Sequence, residues 1–217
     1  MLNKKKMVKE PKYFWKHYRE NILPQKGIAE AEKSILELLK TGICKTIVDL
    51  NYTGNINKNL LTPTQVIQLK GDHSYYRCMS CGEEGIYTSE MVNTLSMLKC
   101  HCKGKIAPSV IMFGEKYLQK NTQAVKDAIF IEEDEEVKLN THCLIFVGVD
   151  FEEDYMHELI ESYSAIKTKI STDEDPYFCV MISEKDGVSI EYYQPEFATY
   201  EDIPGAINRL TAQLKEA

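Results

Sequence analysis

Two cysteine pairs carry the clearest chemistry in this sequence. Cys78 and Cys81 flank Met79-Ser80 and are followed by Gly82, and Cys100 and Cys102 flank His101 further along. Two thiolates three residues apart on a tight turn grip one side of a zinc ion, and Gly82 admits the positive φ that such a turn needs. A second pair completes the four soft donors that zinc takes tetrahedrally. The second pair is Cys-x-Cys, a tighter spacing, and His101 between its members can substitute for one of them. Four protein ligands close the coordination shell, so the expected zinc is structural. The alternative is four unliganded thiols. Cys44, Cys143 and Cys179 lie in or beside apolar runs and read as buried core thiols.

The remaining chemistry depends on elements that must position it. Tyr13, Phe14, Trp15, Tyr18 and Ile22 give one aromatic helix face, and Ile28, Ala31, Ile35, Leu38 and Leu39 continue a helical period up to Gly42. Thr46 to Leu50, Val66 to Leu69 and Ser109 to Phe113 read as strands, with a polar loop over Asn51 to Pro63. Beyond them, Gln123 to Phe130 reads as a helix and Cys143 to Val149 as a buried strand. Tyr155 to Lys169 is an amphipathic helix, Tyr177 to Ile182 and Val188 to Tyr193 are strands, and Ile203 to Leu214 closes the chain as a helix. Apolar strands alternating with helices predict an α/β fold. The expected body is a Rossmann-like, mostly parallel sheet with helices on both faces, and the cysteine segment is a small zinc ribbon inserted into it. The expected division is 1–69 (N-terminal helices and first strand), 70–108 (zinc module) and 109–217 (the rest of the body).

Composition narrows the function classes. The chain has 217 residues, 43% of them hydrophobic, and 26 basic against 33 acidic residues give a net charge of −7. An acidic chain is a poor nucleic-acid binder, so no nucleic-acid partner is expected. The run Glu132 to Glu136 reads as a solvated loop or helix end. No stretch approaches the roughly 20 apolar residues of a membrane helix. The lysine-rich start has no apolar segment behind it, so no signal peptide and a cytoplasmic location are expected. Seven cysteines there are reduced thiols.

The order of these pieces resembles the sirtuins, the NAD-dependent protein deacylases. Val66-Ile67-Gln68-Leu69-Lys70-Gly71 precedes Arg77-Cys78-Met79-Ser80-Cys81-Gly82. The second cysteine pair then leads to Ala107-Pro108-Ser109-Val110-Ile111-Met112-Phe113-Gly114-Glu115. The resemblance, from about Tyr13 to Ile182, implies a sirtuin fold, NAD as cofactor and an acyl-lysine peptide as substrate. It places Phe113, Gly114 and Glu115 beside the peptide groove, where a peptide adds as a strand through backbone hydrogen bonds.

At the reacting positions the chain departs from the family. The family's Gln-Asn-Ile-Asp falls on Val48-Asp49-Leu50-Asn51, which leaves Asp49 and Asn51 as weak cofactor candidates. The catalytic histidine position is occupied by Lys70, which is protonated at pH 7 unless its pKa is strongly depressed. The family's Gly-Thr-Ser reads Gly148-Val149-Asp150, leaving Gly148 as a further weak candidate. His73 is the histidine near the missing base, and reads as a polar loop residue. Residues before Tyr13 carry no glycine-rich phosphate loop, unless the natural start lies upstream. These departures make NAD doubtful and leave the catalytic residue unknown. The expected function is a catalytically degenerate sirtuin-like zinc protein acting through protein binding. A homodimer would cover the sheet edge exposed by the missing unit. The alternative is an active NAD-dependent protein deacylase or ADP-ribosyl transferase with an altered pocket.

Overall fold

The computed structural model describes residues 2–23, 27–60, 65–88, 91, 93, 99–134, 136–149, 154–182, 197–199 and 202–216. In chain order the described elements begin with helices α1 (Lys4–Lys9), α2 (Pro11–Asn21) and α3 (Glu30–Leu39). Strand β1 (Thr46–Asp49), a short helix α4 (Asn55–Asn59) and strands β2 (Gln65–Gln68), β3 (Gly71–Cys78), β4 (Glu84–Ile86) and β5 (Ile106–Val110) follow. Helix α5 (Gln119–Ile129) leads into β6 (Phe130–Glu133), β7 (Glu136–Leu139) and β8 (Cys143–Val147). Helix α6 (Asp154–Ile170), β9 (Phe178–Ile182), β10 (Phe197–Thr199) and α7 (Ile203–Glu216) complete the order. Among the described residues no helix is long and apolar enough to cross a membrane.

The chain forms two compact units. The first takes Met1–Ile28, Ile47–Leu60 and Val66–Thr122. Pro11 starts α2 at a position where its missing N–H costs nothing, and Phe14, Trp15 and Tyr18 then fall on one buried face. They pack with Met7, Ile106, Ala107 and Met112, and with the half-buried Tyr76, Tyr87 and Cys100. Trp15 meets Phe14 at 5.3 Å and Tyr18 at 5.5 Å, both edge to face, the geometry that ring quadrupoles favour. The cysteine segment therefore stands on the aromatic helix. Its sheet runs β4-β3-β5 with both pairings antiparallel, and the β3–β5 register shifts between Gly71 and Tyr76.

The second unit takes Ala29–Thr46, Leu61–Gln65 and Gln123–Ala217. Its sheet, in the order β10-β9-β8, is parallel throughout, with Cys143 opposite Phe178 and Val147 opposite Ile182. Leu38 of α3, Ala206 and Ile207 of α7 and Ile182 of β9 are buried together, with Ile145, Val147 and Val180 packed against them. Phe146, Cys179 and Met181 alternate to the opposite face and are also buried, as strands covered on both sides require. The Tyr163 hydroxyl of α6 donates to the His142 and Phe178 carbonyls at 3.2 and 3.0 Å, tying that helix to the start of β8 and β9. The Rossmann-like α/β body with a cysteine ribbon is the observed architecture.

Several local expectations need correction. The polar stretch after β1 contains α4. The third expected strand begins earlier, at Ile106, and its sheet pairing ends at Val110, so Met112 is core while Phe113 is 64% exposed. Cys143 is exposed because it opens β8 at the sheet's end, and Cys44 is only half-buried; Cys179 is a core thiol as expected. The acidic run is a β-hairpin: Glu133 pairs with Glu136 across a turn in which Asp134 takes φ 53°. The expected strand Val188 to Tyr193 and the position of Asp150 lie outside the described residues.

Candidate functional site

The four cysteines of the two pairs converge. Cys78 ends β3, and its carbonyl accepts the Gly82 N–H at 3.0 Å, closing the first knuckle with Gly82 at φ 77°. The second knuckle closes through the Lys103 N–H on the Cys100 carbonyl, 2.8 Å, and the Cys100 N–H on the Gly104 carbonyl, 3.0 Å. The Met79 N–H donates to the Lys105 carbonyl at 2.8 Å and fastens one knuckle to the other.

The sulfurs of Cys78 and Cys102 lie 3.4 Å apart and those of Cys81 and Cys100 3.6 Å apart, and all four fall within 4.8 Å of one another. A tetrahedron of Zn–S bonds near 2.3 Å has edges of about 3.8 Å. The cluster brackets that value, so the donor set fits zinc. The Cys81 and Ser80 backbone N–H groups hold the Cys78 thiol down to about 6, toward the ionised form that ligates, while the neighbouring Cys100 and Cys102 thiols are raised. Gly104 completes the cradle: a Cβ there would stand 2.7 Å from the Cys78 sulfur.

Two groups that sequence reasoning did not combine lie against this cluster. Glu83 Oε2 is 2.6 Å from His101 Nδ1 and 3.1 Å from the Cys100 sulfur. His101 thus leans on Glu83, outside the four-sulfur set. The available signal was proximity in sequence alone: Glu83 follows Cys81 by two residues and His101 sits inside the second pair.

The turn between β2 and β3 carries the other candidates of the first unit. Gly71 has φ 83°, and any Cβ there would run into the Ser109 carbonyl oxygen, so the position demands glycine. Lys70, just before it, is half-buried, and its carbonyl accepts the Ile111 N–H at 2.9 Å. His73 is no loop residue. It is buried in β3, 3% exposed, with its ring edge-on to Tyr52 and neither ring nitrogen hydrogen-bonded. Burial lowers its pKa, against the opposing pull of Asp72. The Tyr18 hydroxyl donates to its carbonyl at 2.8 Å, tying α2 to β3. Asp49 is buried at the end of β1, where its Oδ1 accepts the Asn51 N–H at 2.9 Å, and the Asn51 side chain is exposed.

Phe113, Gly114 and Glu115 form a turn with an outward ring and an inward carboxylate. The Glu115 side chain is 10% exposed and accepts from Arg77 at 2.6 Å, Lys4 at 3.2 Å and the Met112 N–H at 3.2 Å. The Phe113 N–H donates to the Leu2 carbonyl at 2.9 Å, and Asn3 bridges Phe113 in parallel. This backbone already accepts an extended segment.

In the second unit, Gly148 has φ 58° and gives its N–H to the Ile182 carbonyl at 2.8 Å. That N–H is therefore not available to a phosphate. The second unit also holds a cleft of about 900 Å³ between α5, the hairpin and α6, lined by Phe130, Val137 and Leu159 among others. Burial, and then Glu158, push the Tyr155 hydroxyl at its side up to about 12.

Comparison with known proteins agrees with this architecture. A family model described as the Sir2 family matches residues 1–137. An NAD-dependent protein deacetylase of Saccharolobus solfataricus is 34% identical over 119 residues, which are 49% of this chain and 44% of that protein. One from Geobacillus kaustophilus is 30% identical over 103 residues, 48% of this chain and 40% of that protein. The match thus spans less than half the length of these curated relatives. Among solved structures, a mutant Sir2 homologue in complex with ADP-ribose superposes with a TM-score of 0.73 at 16% identity, covering 99% of this chain and 78% of that one. A Sir2 protein bound to acetylated peptide gives 0.67 at 14%, covering 99% and 83%. At these identities the likeness is one of fold.

Proposed function

The chain belongs to the Sir2 family, and we propose that it is a zinc-bearing, catalytically degenerate member that acts by binding protein rather than by turning over NAD. Lys70 carries this reading. Gly71 approaches the Ser109 carbonyl closely and pins the turn, and the residue ahead of it is a lysine where the resemblance puts the family's catalytic histidine. Lysine does not supply the imidazole that exchanges a proton near neutral pH. His73 gives no substitute, because it is sealed in β3 beside Tyr52. Zinc in the four-cysteine set is structural and holds the ribbon on the aromatic helix.

The binding surface is the exposed Phe113 ring on a turn whose backbone already pairs with Leu2 and Asn3 of the chain itself, so a partner engages the ring or takes the place of that segment. Its partner is an extended protein segment carrying lysine or acyl-lysine, or a second copy of the chain, in the cytoplasm. A second reading, an NAD-dependent protein deacylase or ADP-ribosyl transferase with an altered pocket, draws on the curated relatives, which are NAD-dependent protein deacetylases.

Calorimetric titration of the zinc-loaded chain with NAD and with ADP-ribose separates the two. The binding reading expects no heat up to millimolar ligand and no nicotinamide release in the presence of acyl-lysine peptides. Micromolar binding of either ligand, followed by peptide-dependent turnover, would overturn it in favour of the second.

A further inference from the structure

The ribbon holds more metal donors than one ion uses. Besides the four sulfurs, Cys81 Sγ, a Glu83 carboxylate oxygen, Cys100 Sγ and a His101 ring nitrogen also lie within 4.8 Å of one another. The two donor sets share Cys81 and Cys100, whose sulfurs are 3.6 Å apart, and differ in what stands on either side: Cys78 and Cys102 on one, Glu83 and His101 on the other. From this geometry we propose a second divalent-cation site, in which a zinc ion is bridged to the first by the Cys81 and Cys100 thiolates and capped by Glu83 and His101. It rests on the four-thiolate zinc site proposed above.

Charge favours the second ion. Four thiolates around one dication leave two negative charges, and the Glu83 carboxylate 3.1 Å from the Cys100 sulfur makes three. A second dication brings the cluster to one negative charge and is screened from the first by the bridging sulfurs. The donors suit zinc, which takes thiolate, imidazole and carboxylate together, whereas calcium and magnesium require oxygen shells. Geometry permits it as well: the pair now 2.6 Å apart, His101 and Glu83, needs to open by less than an ångström to clasp an ion. Access is direct, because the side chains of His101 and Glu83 are 74% and 50% exposed, so a hydrated ion reaches them without unfolding the ribbon. That exposure also makes this ion the weaker of the two.

The test is metal stoichiometry of the tag-free full chain. Protein is equilibrated by dialysis against rising buffered free zinc and analysed by atomic emission for zinc per chain, with the Glu83→Gln, His101→Ala double variant in parallel. The expected result is a first ion at low free zinc in both proteins and a second ion at higher free zinc in the wild type alone. A wild type that saturates at one ion overturns the second site and leaves the first intact. A second ion retained by the double variant is adventitious surface binding and overturns it too. No bound ion at all removes the four-thiolate site, and the bridged one with it.

Discussion

Replacing Gly104 by alanine probes how tightly the ribbon is built around its sulfurs. Gly104 has no left-handed φ, so alanine brings no backbone strain there; it brings only a methyl group. That Cβ would stand 2.5 Å from the Ser80 hydroxyl, 2.7 Å from the Cys78 sulfur and 2.7 Å from the Ser80 Cβ. Ordinary contacts need about 3.5–4.0 Å, so one side must retreat by about 1 Å. The Ser80 hydroxyl can rotate away, but a ligating sulfur cannot, since metal–ligand distances hold to about 0.2 Å. Displacing groups that support a ligand typically costs about 10- to 100-fold in metal affinity, or roughly 1.4–2.8 kcal/mol at 1.4 per tenfold. Competition for zinc against a chromophoric chelator measures it directly. A Gly104→Ala protein that holds zinc as tightly as wild type would refute the reasoning. Full recovery in the Ser80→Gly, Gly104→Ala double variant would place the clash on Ser80 and refute the part assigned to the sulfur.

Acid should act on the chain partly through His73. Its folded pKa is depressed by burial below the unfolded value near 6.5, so the unfolded state binds the proton more readily. Its contribution is therefore full above about pH 6.5 and is lost as the pH falls toward the depressed folded value. Urea midpoints at pH 5.5 and 7.5 should converge in His73→Leu compared with wild type at matched zinc content; an unchanged gap would show that His73 does not titrate in this window. Glu115→Gln should cost about 2 kcal/mol, the scale of hydrogen bonds to charged groups. It weakens the acceptor that Arg77 and Lys4 share at 2.6 and 3.2 Å. An unchanged unfolding midpoint would mean that the ion cluster does not hold the Phe113 turn.

What could be read in the sequence was whatever rests on strong local pattern. The aromatic face of α2 shows in residues 14, 15 and 18, and β8 and β9 show as apolar runs because a parallel strand is buried on both faces. The four cysteines announce their convergence by type and spacing. Elements held by partners distant in sequence were hidden. Helix α1 is nearly all lysine, with Met7 its buried residue, and it depends on the Asn3 side chain accepting the Lys5 and Lys6 N–H groups. Strand β3 carries Asp72, His73 and Ser74, a polar run flanked by the paired residues Gly71 and Tyr75 to Cys78 and lying where the register to β5 shifts. The candidate site divides in the same way. Its thiolates were legible, but Glu83 and His101 look like solvent-facing polar residues until the two knuckles bring them together. The inward turn of Glu115 needed Arg77 and Lys4, from far along the chain, to become visible.

The β6–β7 hairpin pairs with no other strand among the described residues, so both of its strands are edge strands. Ile131 and Val137 on it are 40% and 51% exposed, the composition of a surface that adheres to copies of itself. Its tip carries Glu132, Glu133, Asp134 and Glu136, with Glu133 paired to Lys138 at 2.9 Å. That acidic fringe opposes edge-to-edge pairing of two copies. Strand-to-strand approach of two copies sets like charges against each other at the place where stacking would begin. The protection is electrostatic and so conditional: it fades as the carboxylates protonate near about pH 4.3, and it shortens to about 3 Å of reach in molar salt. The hairpin's protection against edge pairing is thus a local matter of charge, within a chain of net charge −7 and separate from whatever holds its core together.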